Sequence, residues 1–235
     1  MLKVIYETHE LIQKSNLPYA VCGGYAIDMF VDKPTRKHTD FDISVFEEHR
    51  KDMLNFMLNQ GWHIYEHVWD GAGTDYLIRI NSADDERALE ISCVWTVTPN
   101  CTLVTIEGKP GEDNVYTWKK GSGEASNCDF IEICFDGRDN DNFVCNRELN
   151  ISRPMDKAIL YNDGIPYLAP EVILYHKSHP VYMTWPKTIW DYYQAAHLLG
   201  DESRDWLVKA LKATYPEGHE WVERLEAIIP VSERR

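Results

Sequence analysis

Several chemistries are missing from this 235-residue chain. Its six cysteines, at 22, 93, 101, 128, 134 and 145, form no C-x-x-C pair and no His-Cys cluster of zinc-finger spacing. Buried thiols are the expected state, because an even cysteine count does not argue for disulfides where no secretion signal is read. There is no G-x-x-x-x-G-K-[ST] loop and no G-x-G-x-x-G after a strand, so a phosphate site must be of another kind. No apolar run approaches the roughly 20 residues that span a bilayer. The opening "MLKVIYETHELIQK" carries acids and no long apolar centre, unlike a signal peptide, and cytoplasmic residence is the expectation. Basic residues are scarce: 24 Lys and Arg stand against 38 Asp and Glu, for a formal net charge of −14. That balance disfavours a broad nucleic-acid footprint and favours cationic small molecules or metal ions.

What is present supports a folded domain, since 44% of the residues are hydrophobic. An amphipathic helix is expected over 2–16, then the short strand "YAVC", a Gly23-Gly24 turn, a helix "YAIDMFV" and the strand "DFDISVF". "EEHRKDMLNFMLNQ" reads as a helix closed by Gly61, and "WHIYEH", "DYLIRI" and "ALEISCVW" read as strands. Residues 98–150 carry further strand-like runs, "TLVTI", "NVYTW" and "DFIEICF", separated by turns that include "KKGSGEASN" and "DGRDNDN"; they read as an antiparallel extension. Helical patterns take over after Ala169, up to "GHEWVERLEAII". The expected class is α+β, a mixed sheet with helices on one face followed by a small helical bundle. The expected boundary divides residues 1–165 from 166–235.

The strand "DFDISVF" alternates its side chains, so Asp40, Asp42 and Ser44 share one face and Phe41, Ile43 and Val45 the other. Strand rise puts the Asp40 and Asp42 Cα atoms about 6.6 Å apart, close enough for both carboxylates to reach one ion. Read as a strand, "ALEISCVW" turns Leu89, Ile91, Cys93 and Trp95 to one side and Glu90 to the other. Asp40, Asp42 and Glu90 are then expected to form a cup of three carboxylates, a hard-oxygen set suited to Mg²⁺ shared with substrate phosphates. A strand, two glycines and a helix supply the other half, because backbone N–H groups at a helix start receive phosphate and glycine lets it approach. A lone D-x-D is usually a solvated edge and a lone Gly-Gly usually a turn; their order and spacing together are the specific signal.

"GGYAIDMFVDKPTRKHTDFDISVF" resembles the signature of the polymerase-beta-like nucleotidyltransferase superfamily, and within it the aminoglycoside and lincosamide nucleotidyltransferases. The matching residues are Gly23, Gly24, Tyr25, Asp28, Thr35, Arg36, His38, Asp40 and Asp42. "DGIPYLAPEVILYHKS" and "WPKTIWDYYQAAHLL" resemble later helices of the same family. Two departures stand out: Asp32 or Lys33 occupies the usual glycine position after the first helix, and the third acid is Glu90 rather than aspartate.

The resemblance implies transfer of a nucleoside monophosphate, AMP from ATP or the equivalent from another NTP, to a hydroxyl with release of pyrophosphate. It implies two Mg²⁺ ions on Asp40, Asp42 and Glu90, with Glu90 either the general base as well or a metal ligand only, two roles the sequence does not separate. Gly23, Gly24, Arg36, Lys177 and Lys187 are the implied nucleotide-binding residues. Lys177 and Lys187 are equally well read as solvated lysines, and Arg36 as half of a local ion pair. Asp28 is equally a plain helix-face acid, Glu171 a first-turn residue favouring the helix dipole, and His38 a structural hydrogen-bonding group. The first acceptor is an aminoglycoside-type antibiotic, in keeping with the acidic balance. Alternatives are a lincosamide, a toxin-like enzyme modifying RNA or protein, and a nucleotide-binding module without turnover. No membrane partner is implied.

Overall fold

A computed structural model of the chain describes residues 3–70, 73–121, 128–145 and 151–228. In chain order the elements are α1 (Lys3–Ile12), β1 (Tyr19–Val21), α2 (Gly23–Val31), β2 (Phe41–Phe46), α3 (Arg50–Asn59), β3 (His63–Trp69), β4 (Asp75–Ile80), α4 (Glu86–Glu90), β5 (Cys93–Val97), β6 (Val104–Gly108), β7 (Val115–Lys120), β8 (Phe130–Asp139), β9 (Asn142–Val144), β10 (Ser152–Pro154), α5 (Met155–Ala158), β11 (Ile159–Asn162), β12 (Ile165–Leu168), α6 (Pro170–Lys177), α7 (Pro180–Met183), α8 (Pro186–Ala195), α9 (Asp201–Thr214) and α10 (Glu220–Glu226). Most of the turn expected at 119–127, at 122–127, lies outside the described residues, as do Leu2 and Ile229 at the ends of expected helices. The chain divides into two compact units, Met1–Val21 with Arg36–Gly137, and Cys22–Thr35 with Arg138–Arg235.

The sheet of the first unit runs β1-β2-β8-β5-β3-β4-β7-β6. β2 and β8 are parallel and the other neighbouring pairs in this order are antiparallel, so the sheet is mixed. Alternation decides its two faces. Phe41, Ile43 and Val45 of β2 and Ile131, Ile133 and Phe135 of β8 are almost fully buried on one side. α3 covers that side, burying Met53, Leu54 and Met57 while packing on β2 and β3. Each such side chain contributes about 1.5–3 kcal/mol by leaving water. α3 ends as expected: Gly61 takes φ +80°, and the Gly61 and Trp62 amides donate to Leu58 and Met57 carbonyls. β6 and β7 extend the sheet beyond β4, and Tyr65, Leu77, Trp95, Val97, Leu103, Val104 and Phe130 form a second cluster of buried side chains.

In the second unit α2 packs on α6 and α8, and α9 packs on α6 and α10. The β11–β12 hairpin turns at Asp163-Gly164, both with positive φ, as a two-residue Asp-Gly loop favours. Pro170, Pro180 and Pro186 each open a helix, where the missing N–H costs no bond. Leu207, Leu211, Trp221 and Leu225 of α9 and α10 are buried.

Two expectations are corrected here. "ALEISCVW" is not one strand: residues 86–90 form α4 and extended structure resumes at Cys93. Asp85 caps α4 by accepting a hydrogen bond from the Arg87 amide at 3.1 Å. Arg50, 5% exposed and packed over the Phe135 ring, donates to the Ala88 and Ile91 carbonyls and so holds that turn shut. The cysteines are not all thiols either. Cys93 and Cys134 face each other across β5 and β8 with Cα atoms 4.1 Å apart and are joined as a disulfide. The pairing depends on sheet register across 41 residues, which composition does not carry.

Candidate active site

β2 and β8 lie in parallel register with Asp42 beside Glu132. The face opposite α3 therefore carries Asp42 and Ser44 from β2, and Glu132, Cys134 and Asp136 from β8. Asp40, just before β2, joins them. Carboxylate oxygens of Asp40, Asp42 and Glu132 lie within 4.8 Å of one another, and all three residues are half-buried. Below them the Ser44 hydroxyl donates to a carboxylate oxygen of buried Asp136 at 2.6 Å.

The third acid is therefore Glu132, not Glu90. Glu90 ends α4 and is exposed, and among the described residues the acids that gather with Asp40 and Asp42 include only Glu132. The sequence does hold a signal for it. "DFIEICF" alternates, placing Glu132 opposite Ile131 and Ile133; what it lacks is any sign that β8 is the strand beside β2, ninety residues earlier.

Three carboxylates this close repel one another. Water that reaches these half-buried groups screens part of that repulsion. A hard divalent cation relieves that repulsion, and an all-carboxylate, solvent-accessible set fits Mg²⁺. Beside the acids, Trp95 pairs with Glu132 in register and is 8% exposed. Its ring lies 4.4 Å from His67 and 5.0 Å from both Trp118 and Phe130. Asp75 accepts from the Trp118 indole at 2.6 Å and pairs with His67 at 2.9 Å.

The other site candidates fall as follows. Gly23, at φ +61°, and Gly24 are the first residues of α2. Asp32 ends that helix in the left-handed conformation at φ +55°, so aspartate serves where glycine is usual. Asp28 is more than a surface acid: it is 4% exposed and one oxygen accepts from both the Thr35 amide, at 2.9 Å, and the Thr35 hydroxyl. It thereby ties Thr35 back to α2. Arg36 donates to the Lys37 carbonyl at 3.2 Å, and His38 is buried.

Lys177 pairs at 3.1 Å with Asp191, which is fully buried. Lys187 is exposed and sits 5.1 Å from the centre of the Trp185 ring. Glu171 is 2% exposed, accepts from Arg153 at 2.6 Å and from Ser203 at 2.8 Å, and so is a structural ion-pair partner. Tyr192 stacks on Trp221 in the core of its unit. Gly23, Gly24, Lys177 and Lys187 belong to the second unit, while Arg36 and the acids belong to the first.

The family described as aminoglycoside-2''-adenylyltransferase matches residues 4–92, the part of the chain with the glycine turn and the D-x-D strand. No curated protein matches. Among solved structures, the solution structure of the antibiotic-resistance factor ANT(2'')-Ia is 16% identical with a TM-score of 0.52, covering 91% of this chain and 93% of its own. The crystal structure of ANT(2'')-Ia with adenylyl-2''-tobramycin is 17% identical with a TM-score of 0.51, covering 90% and 96%. The lincomycin-bound lincosamide adenylyltransferase LnuA is 14% identical with a TM-score of 0.48, covering 81% and 92%. At these identities the first two show a shared fold.

Proposed function

We propose that this nucleotidyltransferase, matched over residues 4–92 by the aminoglycoside-2''-adenylyltransferase family, moves AMP from ATP to a hydroxyl of a small cationic acceptor of the aminoglycoside type. The observation that carries the reading is the convergence of Asp40, Asp42 and Glu132 on the open face of the sheet. Those three residues would hold Mg²⁺, which when bound supplies neutralisation of the leaving pyrophosphate and acidifies the acceptor hydroxyl. Glu132 takes the part first assigned to Glu90, as third ligand and as the carboxylate that accepts the hydroxyl proton. The hydroxyl oxygen bonds to the α-phosphorus as the bond to the β-phosphate oxygen breaks, and pyrophosphate leaves.

For the nucleotide, the proposal keeps the assignments drawn from the sequence: Gly23, Gly24, Arg36, Lys177 and Lys187. It likewise keeps residues 1–165 as the catalytic domain and 166–235 as the helical one. The net charge of −14 supports a polycationic acceptor, because the summed field draws cations toward the protein.

The test is incubation with Mg²⁺, ATP labelled in its α-phosphate, and separate panels of aminoglycosides, lincosamides, RNA and unrelated protein. The expected product is a labelled aminoglycoside with one pyrophosphate per transfer. Label on a lincosamide, on RNA or on protein would replace the acceptor in this reading, and nucleotide binding without any product would overturn it. Asp42→Asn is expected to abolish transfer with little change in the thermal melt. An active D42N enzyme would show that the acids are misassigned.

A further inference from the structure

Glu132 belongs to two groups at once. With Asp40 and Asp42 it makes the oxygen cluster; with Cys93 and Cys134 it makes a second set whose ligand atoms also lie within 4.8 Å of one another, all from half-buried residues. The geometry follows from register. Cys134 is two residues beyond Glu132 on β8 and so shares its face, and Cys93 is directly opposite Cys134 on β5. The other thiols are placed differently. Cys22 and Cys145 are buried, and burial pushes the Cys128 thiol up to about 11 and raises Cys101 as well.

We propose that, once the Cys93–Cys134 disulfide is reduced, Cys93, Cys134 and Glu132 form a second cation site, selective for thiophilic divalent ions such as Zn²⁺, which withdraws Glu132 from Asp40 and Asp42. Two sulfurs and a carboxylate are a donor set that zinc accepts, leaving a fourth position for water. Tetrahedral zinc with metal–sulfur bonds near 2.3 Å sets its two sulfurs about 3.8 Å apart, a span that cysteines opposed across two strands can reach. The site opens by thiol–disulfide exchange: two small-molecule thiols reduce the protein disulfide, giving two cysteine thiols and one oxidised small-molecule disulfide. As the metal–sulfur bonds form, both thiol protons pass to solvent. Reoxidation closes the site. The withdrawal of Glu132 rests on the proposed function above; the cation binding does not.

The test uses the full chain, reduced with a phosphine under anaerobic conditions and titrated with Co²⁺. One equivalent is expected to produce a near-ultraviolet thiolate-to-cobalt band and the visible bands of tetrahedral cobalt, both bleached by Zn²⁺. The oxidised protein and the C93A/C134A double variant are expected to show neither. A reduced protein without the thiolate band, or a double variant that keeps it, would overturn the site. Transfer is read separately, at saturating Mg²⁺. Zn²⁺ is expected to inhibit the reduced wild type, while Cys93→Ser keeps basal transfer and needs at least about tenfold more Zn²⁺ for the same inhibition. Binding without inhibition, or equal inhibition of C93S, would overturn the competition for Glu132. The cobalt titration decides the site even if no acceptor is turned over.

Discussion

Tyr192 is 3% exposed and stacked on Trp221, and burial pushes its phenol up to about 12. Burial likewise pushes the Cys128 thiol up to about 11. Both groups hold their protons more tightly folded than unfolded, where thiols titrate near 8.5 and phenols near 10. Their burial is without charge penalty below about pH 8.5. Above that the unfolded chain releases protons first, so stability falls as pH rises toward 11–12. The urea midpoint is expected to hold to about pH 8 and then drop steadily to pH 10.5, with Cys128→Ser flattening the first part of the drop. A midpoint unchanged across that range would contradict the assignment. Single residues were unevenly legible in the sequence. Asp40 and Asp42 stand out because alternation on one strand is local, and Gly23 and Asp32 because turns demand particular backbone angles. Asp28 was not, since what distinguishes it from a surface acid is its contact with Thr35.

α4 shows where reading by element broke down. "ALEISCVW" alternates well enough for a strand, yet Asp85 and Glu86 just before it are the residues a helix start favours. Arg50, donating from α3 to the carbonyls at Ala88 and Ile91, settles the competition in favour of the turn. β8 was recognised as a strand but its neighbours were not, because strand order is a property of the sheet. In the second unit β10, α6 and α9 are joined by the Arg153–Glu171 pair, with Ser203 donating to the same carboxylate and the Arg153 guanidinium 5.3 Å from the Trp206 ring centre. Both ions are almost fully buried. Removing one partner strands the other charge, which costs about 3–5 kcal/mol. Glu171→Gln is expected to lower the urea-derived unfolding free energy by about that amount, and the apolar pair R153M/E171L to recover most of it. A loss under about 0.5 kcal/mol in E171Q would mean the pair is not what fastens these elements.

For the molecule as a whole, the α+β class, the mixed sheet and the helical C-terminal part follow from periodicity and turn chemistry, and the family match and shared fold agree with them. The cluster of Asp40, Asp42 and Glu132 is legible only in part, because it joins strands ninety residues apart and depends on which of several acids the register selects. No helix among the described residues is long and apolar enough to cross a membrane. The central claim is that Asp40, Asp42 and Glu132 jointly hold a divalent cation. Mn²⁺ binding followed by electron paramagnetic resonance tests it without any acceptor. Oxidised wild type and Glu90→Gln are expected to bind Mn²⁺ alike, and Glu132→Gln to bind at least about tenfold more weakly. Loss of binding in E90Q with full binding in E132Q would contradict the account.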